Sequence, residues 1–242
     1  MVDTIVTELQ GDKSALQSVA ATSHSFRLAA LPYLFRFVVL SRPKQVKRLY
    51  NIICGTPSIS LFVRRVRLVD LRFHHTQPFT SILLRSFTNL AALELVDLVI
   101  ENVPPDILDA IQSCRTITSM TLNKIVFTSP SSFYALLQPY PGLKTLSCRN
   151  THCATDPRIV GPHIQVPSLR SIELTGHYQS LLPIFSAHYS LLRSVTKLVI
   201  NTSGNMAHHD YIHKTLVDTA DHLEELSLYE PARIMCEYFP LG

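Results

Sequence analysis

The sequence predicts an α/β solenoid, in which parallel strands stack on one side and helices return the chain along the other. Three observations predict it. An apolar hexapeptide recurs at a near-constant spacing. Helical periodicity fills most of the stretches between recurrences. The composition suits both, with 34 leucines, 46% hydrophobic and 17% charged residues, and only 7 glycines among 242 residues. That apolar content supports a sizeable core and excludes a disordered chain. The glycine share, roughly half the average, argues against glycine-rich nucleotide loops as the organising theme.

The hexapeptide carries apolar residues at its first, fourth and sixth positions, as in Leu90-Ala91-Ala92-Leu93-Glu94-Leu95. It starts at Val63, Leu90, Ile117, Leu143, Leu169, Val195 and Leu223, with successive intervals of 27, 27, 26, 26, 26 and 28 residues. A further match, Leu34-Phe35-Arg36-Phe37-Val38-Val39, lies 29 residues before the first. Strands of a β-sandwich need no such period. In a strand, the fourth and sixth side chains point to the same side, so they enter a core while their neighbours face outward. Stacking one repeat on the next is what buries that apolar edge.

The segments between are read in order. Val46, Leu49, Tyr50 and Ile53 form one helical face over Pro43–Cys54, stopped by Gly55-Thr56-Pro57. Phe79–Phe87 carries Ile82, Leu83 and Phe87. Pro105–Cys114 begins with proline in its first turn and Asp106 beside it, a favourable start. Ser131 and Ser132 precede a helix over Phe133–Leu137, with Pro139 and Pro141 beyond it. Tyr178–Tyr189 and Asp210–Ala220 complete the set, with a break or kink expected at Pro183. Residues 151–167 hold Pro157, Pro162 and Pro167 and read as irregular loop.

This L-x-x-L-x-L pattern and its period resemble the leucine-rich-repeat family over about residues 34–230. The resemblance implies a concave face of parallel strands and a convex face of helices. One departure stands out. Where many such repeats place Asn or Cys, three residues after the sixth position, this chain has Leu71, Leu98, Ile125, Thr151, His177, Ser203 and Pro231. No asparagine ladder is expected, a feature closer to the helix-backed intracellular types.

Residues 1–36 stand apart from the repeats of 37–242, which number about seven. Val2, Ile5, Val6 and Leu9 make one helical face. Asp12 suits an N-cap for a helix with Ala15, Leu16 and Val19. A third helix, Ser25–Leu31, should end at Pro32. The run from Ile5-Val6-x-x-Leu9 through Asp12–Val19 and Ser23-His24-Ser25-Phe26-Arg27 to Leu31-Pro32-Tyr33-Leu34-Phe35-Arg36 resembles the later part of an F-box. Its passage straight into a repeat strand resembles fungal F-box and leucine-rich-repeat proteins. The family's opening Leu-Pro-x-Glu turn is missing, and Phe26 stands where a Trp often occurs. The resemblance implies a substrate-recognition subunit of an SCF-type ubiquitin ligase. Ile5, Leu9, Leu16, Val19 and Phe26 would then face the ligase adaptor or form the F-box core, linking the chain to adaptor and cullin subunits. Both ends are expected to be shortened relative to a complete member. A helical cap over the first repeat, in a stand-alone scaffold with no ligase link, is the competing reading.

The outward positions of the strands give the candidate partner-binding residues: Arg65, Arg67, Glu94, Asn123, Arg149, Glu173, Lys197 and Tyr229. This polar face, with charges of both signs, suits an unidentified protein substrate. Arg67, Arg149 and Tyr229 are the leading anchors, because Arg and Tyr concentrate binding energy. Residues 42–72 are basic, but the whole chain is only +4 and shows no aromatic-interleaved motif, so a solvated face is favoured over nucleic-acid binding.

No Walker loop, Gly-x-Ser-x-Gly or His-Glu-x-x-His occurs, so no enzyme, cofactor or metal is implied. His74-His75, His208-His209-Asp210 with His213, and Cys148-His152-Cys153 all lack a partner half-site with zinc spacing. The five cysteines are irregularly spaced, and Cys54, Cys114 and Cys148 have apolar neighbours, which reads as reduced thiols. With no secretory signal and no apolar run long enough for a membrane span, a cytoplasmic or nuclear location is expected.

Overall fold

A computed structural model of the chain describes residues 2–70, 77–154, 167–177, 180–187, 189–202 and 209–229. Three helices come first, α1 (Val2–Glu8), α2 (Lys13–Thr22) and α3 (His24–Leu34). Strands and helices then alternate: β1 (Phe37–Leu40), α4 (Pro43–Gly55), β2 (Arg65–Val69), α5 (Gln77–Ser86), β3 (Ala92–Val99), α6 (Pro105–Ser113), β4 (Ser119–Phe127) and α7 (Pro130–Leu137). The remainder runs β5 (Thr145–Arg149), β6 (His152–Cys153), β7 (Ser171–Gly176), α8 (Leu182–Ala187), α9 (Tyr189–Leu192), β8 (Lys197–Thr202), α10 (His209–Thr219) and β9 (Glu225–Tyr229).

The strands form one nine-stranded sheet with every pairing parallel. Its main path follows chain order, β1-β2-β3-β4-β5-β7-β8-β9, and β6 pairs with the far end of β4. The register repeats at every step, so Arg65, Ala92, Ser119, Thr145, Ser171, Lys197 and Glu225 lie in one row across the sheet. The periodicity in the sequence is therefore a periodicity of hydrogen-bond register.

The core lies between the sheet and the helices. Fourth and sixth positions point into it: Val66 and Leu68, Leu93 and Leu95, Met120 and Leu122, Leu146 and Cys148, Ile172 and Leu174, and Leu198 and Ile200 are all buried. Six first-position residues, Val63, Leu90, Ile117, Leu143, Leu169 and Val195, are fully enclosed. From the helices come Val46, Leu49 and Ile53, then Leu83, Leu84 and Phe87, then Ile107, Ala110 and Ile111. Phe127, Tyr134 and Phe185 surround Phe133 with edge-on contacts, an arrangement aromatic rings favour. At the last strand the burial falls away, and Leu226 and Leu228 are exposed.

Five successive repeats, from β2 to β7, leave their strands by the same corner. Two residues after the sixth position the backbone turns left-handed, at Asp70 (φ 47°), Asp97 (58°), Lys124 (55°), Asn150 (50°) and Gly176 (73°). A glycine-poor chain thus performs a glycine-type turn mostly with other residues, Asp and Asn among them, which tolerate it best. At three of these corners the next residue re-enters the core, whereas His177, after Gly176, is exposed. Leu98 and Ile125 are buried there, and Thr151, fully buried, donates its hydroxyl to the Leu122 carbonyl at 3.0 Å. Leu71, Ser203 and Pro231 at the equivalent place lie outside the described residues, as does most of the 151–167 loop.

Several expectations are corrected. The first hexapeptide is displaced by one residue: Val38 pairs with Val66 and Leu40 with Leu68, so the repeat begins at Phe35, not Leu34. Side chains alternate, so the slip exchanges faces. Val38 and Leu40 are buried, whereas Phe37 and Val39 are turned outward. Helix α3 does not stop before Pro32 but continues to Leu34, with the Phe35 amide bonded to the Leu31 carbonyl. The carbonyl that Pro32 leaves without an amide belongs to Leu28, an exposed residue open to water. The helix expected over Tyr178–Tyr189 starts only at Leu182, as α8, so Pro183 sits in its first turn, where proline needs no amide, rather than inside a longer helix. The helix expected from Phe133 starts at Pro130, because Ser129 rather than Ser131 or Ser132 caps it. Cys54 is exposed, since it follows Ile53 on α4 and points away from the core. Ile82 likewise faces outward from α5. The four described cysteines are free thiols, and Cys236 lies outside the described residues.

The N-terminal helices hold a small core of their own, Val6, Leu16, Ala20 and Ala30. Asp12 caps α2 as expected, its Oδ1 accepting the amides of Ser14 at 2.9 Å and Ala15 at 3.0 Å. Leu31 and Phe35 at the end of α3 pack on the main core.

Candidate protein-binding face

The side of the sheet away from the helices presents three rows. The first runs Phe37, Arg65, Ala92, Ser119, Thr145, Ser171, Lys197 and Glu225. The second runs Val39, Arg67, Glu94, Thr121, Ser147, Glu173, Val199 and Ser227. The third runs Val69, Val96, Asn123, Arg149, Thr175, Asn201 and Tyr229. All eight residues proposed from the sequence for a partner surface fall on this one face. Small side chains occupy the middle of the first two rows, which leaves the backbone there within reach of a flat partner.

The sequence did not disclose that most of the charges are paired with one another. Arg67 donates to the Glu94 carboxylate at 2.6 Å, directly across the β2–β3 register. Arg149 reaches diagonally to Glu173, at 3.0 and 3.2 Å to its two oxygens. Lys197 meets Glu225 at 2.6 Å across β8 and β9. The intervals that place equal positions side by side are what bring these charges together. The Glu94 bond pushes the Arg67 guanidinium pKa up, against the opposing effect of burial. Arg67 Nε is enclosed without an acceptor. Asn123 is half-buried in its row, and Tyr229 is 57% exposed at the end of its own. Arg65 lies with its guanidinium carbon 5.9 Å from the centre of the Phe37 ring, within cation–π range. Sequence reasoning missed Phe37 and Val39 on this face, because the displaced hexapeptide had assigned them inward.

The F-box-like candidates divide by burial. Leu16 is enclosed in the small helical core, where it touches no outside surface. Leu9, Val19 and Phe26 pack half-buried against it. Ile5 is 41% exposed, and so is its unforeseen companion Leu28, at 54%.

The basic stretch does not form one patch. Lys44, Lys47 and Arg48 are exposed on α4, which covers the other side of the core, while Arg65 and Arg67 lie on the sheet. Arg72, His74, His75 and His208 lie outside the described residues. Among the described residues no group of three or more His, Cys, Asp or Glu side chains converges as metal ligands would. Burial pushes the Cys114 and Cys148 thiols up, away from the thiolate form a nucleophile requires. No described helix is long and apolar enough to cross a membrane.

No protein-family model matches the chain, and no curated protein does. Solved structures that are similar in part include the following two. A tropomodulin C-terminal domain from Caenorhabditis elegans aligns over 73% of this chain and 93% of its own, with TM-score 0.36 and 10% identity. The actin-binding site 2 of leiomodin-1 aligns over 73% and 87%, with TM-score 0.35 and 13% identity. At these values neither carries an argument about what this chain binds.

Proposed function

We propose that this chain is a leucine-rich-repeat interaction module that binds a protein partner on the open face of its sheet. One observation carries the reading: three rows of mainly polar side chains, two over eight strands and one over seven, repeat in register on a face that no described helix covers. Rigid strands hold such a surface at little entropic cost on binding. A photo-crosslinker at Thr121 or Ser171 tests it, with Lys47 and Asp109 on the helical side as controls. One dominant protein adduct from the two sheet positions is expected. Equal labelling from both sides refutes the reading.

The finer reading is a substrate receptor of an SCF-type ubiquitin ligase, with the N-terminal helices contacting the adaptor. Its support is the resemblance of residues 5–36 to an F-box, together with Ile5 and Leu28, apolar residues left exposed on a helical unit with a separate core. Co-purification with the ligase adaptor is expected for the full chain and is lost in Ile5→Asp. Failure of the folded chain to retain the adaptor leaves the scaffold reading in place and removes the ligase.

A further inference from the structure

We propose that the β1 corner of the open face is the docking site for an acidic segment of a partner protein that carries an apolar anchor residue. The inference rests on the open-face reading above and deepens it. Arg67, Arg149 and Lys197 are all neutralised by Glu94, Glu173 and Glu225. Arg65 is the open-face cation for which the described residues supply no carboxylate, and it is exposed. Beside it Phe37 and Val39 are 40% and 36% exposed on the first strand of the sheet. Arg36 and Arg64 stand exposed at the start of the same two strands, and Arg64 donates to the Asn89 carbonyl, with no carboxylate paired to it among the described residues.

The wider field has the same sign. No Asp or Glu occurs between Asp12 and Asp70, a span that contains ten Lys and Arg residues. An acidic segment is therefore drawn to this end of the molecule before contact. On contact, an aliphatic or aromatic side chain covers Phe37 and Val39 while a carboxylate reaches Arg65. A nucleic acid is the less suited occupant. Its phosphates require cations along a track, and the bases of α4 that would extend the track lie across the core.

Fluorescence anisotropy on the full chain tests this with three labelled probes: a short peptide alternating glutamate with leucine and phenylalanine, its lysine-for-glutamate counterpart, and a mixed-sequence single-stranded oligonucleotide. The acidic peptide is expected to bind best and to weaken with salt. Arg65→Glu and Phe37→Ser should each weaken it by about tenfold or more. Lys214→Glu, an exposed charge change on α10, should leave it unaltered. If Phe37→Ser does not fold, Val39→Thr reads the same corner. Equal binding of the lysine peptide, tighter binding of the oligonucleotide, or equal effects of Arg65→Glu and Lys214→Glu each overturn the proposal. Crosslinks from Thr121 that persist when the acidic peptide fails would remove the corner and leave the open-face reading intact. Loss of both removes both.

Discussion

Gly176→Ala tests the repeated corner. Gly176 has φ 73°, and a Cβ built on it would lie 2.0 Å from Asn150 Oδ1, the side chain of the same corner one repeat earlier. Two costs follow. A non-glycine residue in the left-handed region loses about 1–2 kcal/mol. The methyl group must also displace the Asn150 side chain, which accepts the His177 amide at 3.4 Å. That bond is long, so its loss adds about 0.5–1 kcal/mol. The total is about 1.5–3 kcal/mol, or a Tm lower by roughly 3–12 °C for a chain of this size. Urea unfolding should show the same loss as a shift in midpoint with an unchanged slope. The two costs separate in a double-mutant cycle with Asn150→Gly, which removes the obstructing atoms and should recover the displacement part only. A Gly176→Ala loss below about 0.5 kcal/mol would refute the account of the corner. No recovery in the double variant would refute the contact between successive corners.

Three further outcomes follow from the same packing. Leu95→Ala empties a fully buried site between Leu68 and Leu122 and should cost about 2–5 kcal/mol in chemical unfolding. Tyr140→Phe leaves the Ile111 carbonyl without the hydroxyl that donates to it at 2.7 Å, a loss of about 1–3 kcal/mol. Burial, with the nearby Cys114, pushes the Tyr140 phenol up. Its contribution is complete below the ordinary phenol pKa of about 10 and is lost as pH rises above that, so Tyr140→Phe should reduce the alkaline loss of stability. Glu101 shows the opposite sign. Burial pulls its carboxyl up, but hydrogen bonds from the Ser132 hydroxyl and from the Thr128 hydroxyl and amide outweigh it and hold the pKa down. Its contribution is present above about pH 4.3 and disappears on acidification, and Glu101→Gln should flatten the acid limb of a stability–pH curve.

The core and the strand order were legible because burial and register share one period. Leucines at fixed positions state both which residues go inward and which strands become neighbours. The Asp12 cap and most helix spans were legible for local reasons, a side-chain acceptor or an i, i+3, i+4, i+7 face. The first strand was misread where the pattern is degenerate. Phe35, Phe37, Val38, Val39 and Leu40 are all apolar, so only pairing with Val66 and Leu68 decides which of them go inward. The proline in α3 was read as a stop because nothing in the sequence reveals that Leu28 lies open to water. The ion pairs were hidden for a different reason: Arg67 and Glu94 are 27 residues apart, and charges on neighbouring strands meet only once the register is known. Treating Arg67 and Arg149 as independent anchors missed that each already has an internal partner, which any ligand must displace or accommodate.

The chain-order path of the sheet bears on how the protein folds. Parallel sheets are ordinarily slow to form, since distant segments must meet before any contact rewards them. Here paired residues are 26–28 positions apart at every step along the main path. That is about one tenth of the chain, the relative contact order of helical bundles. A loop of that size closes at the same modest entropic cost each time, so the molecule grows by repeating one short search. Ordering can begin at whichever pair of repeats is locally strongest. Phe133, with its three aromatic neighbours between β4 and α8, marks the place where that first pair would be sought by φ-value measurement.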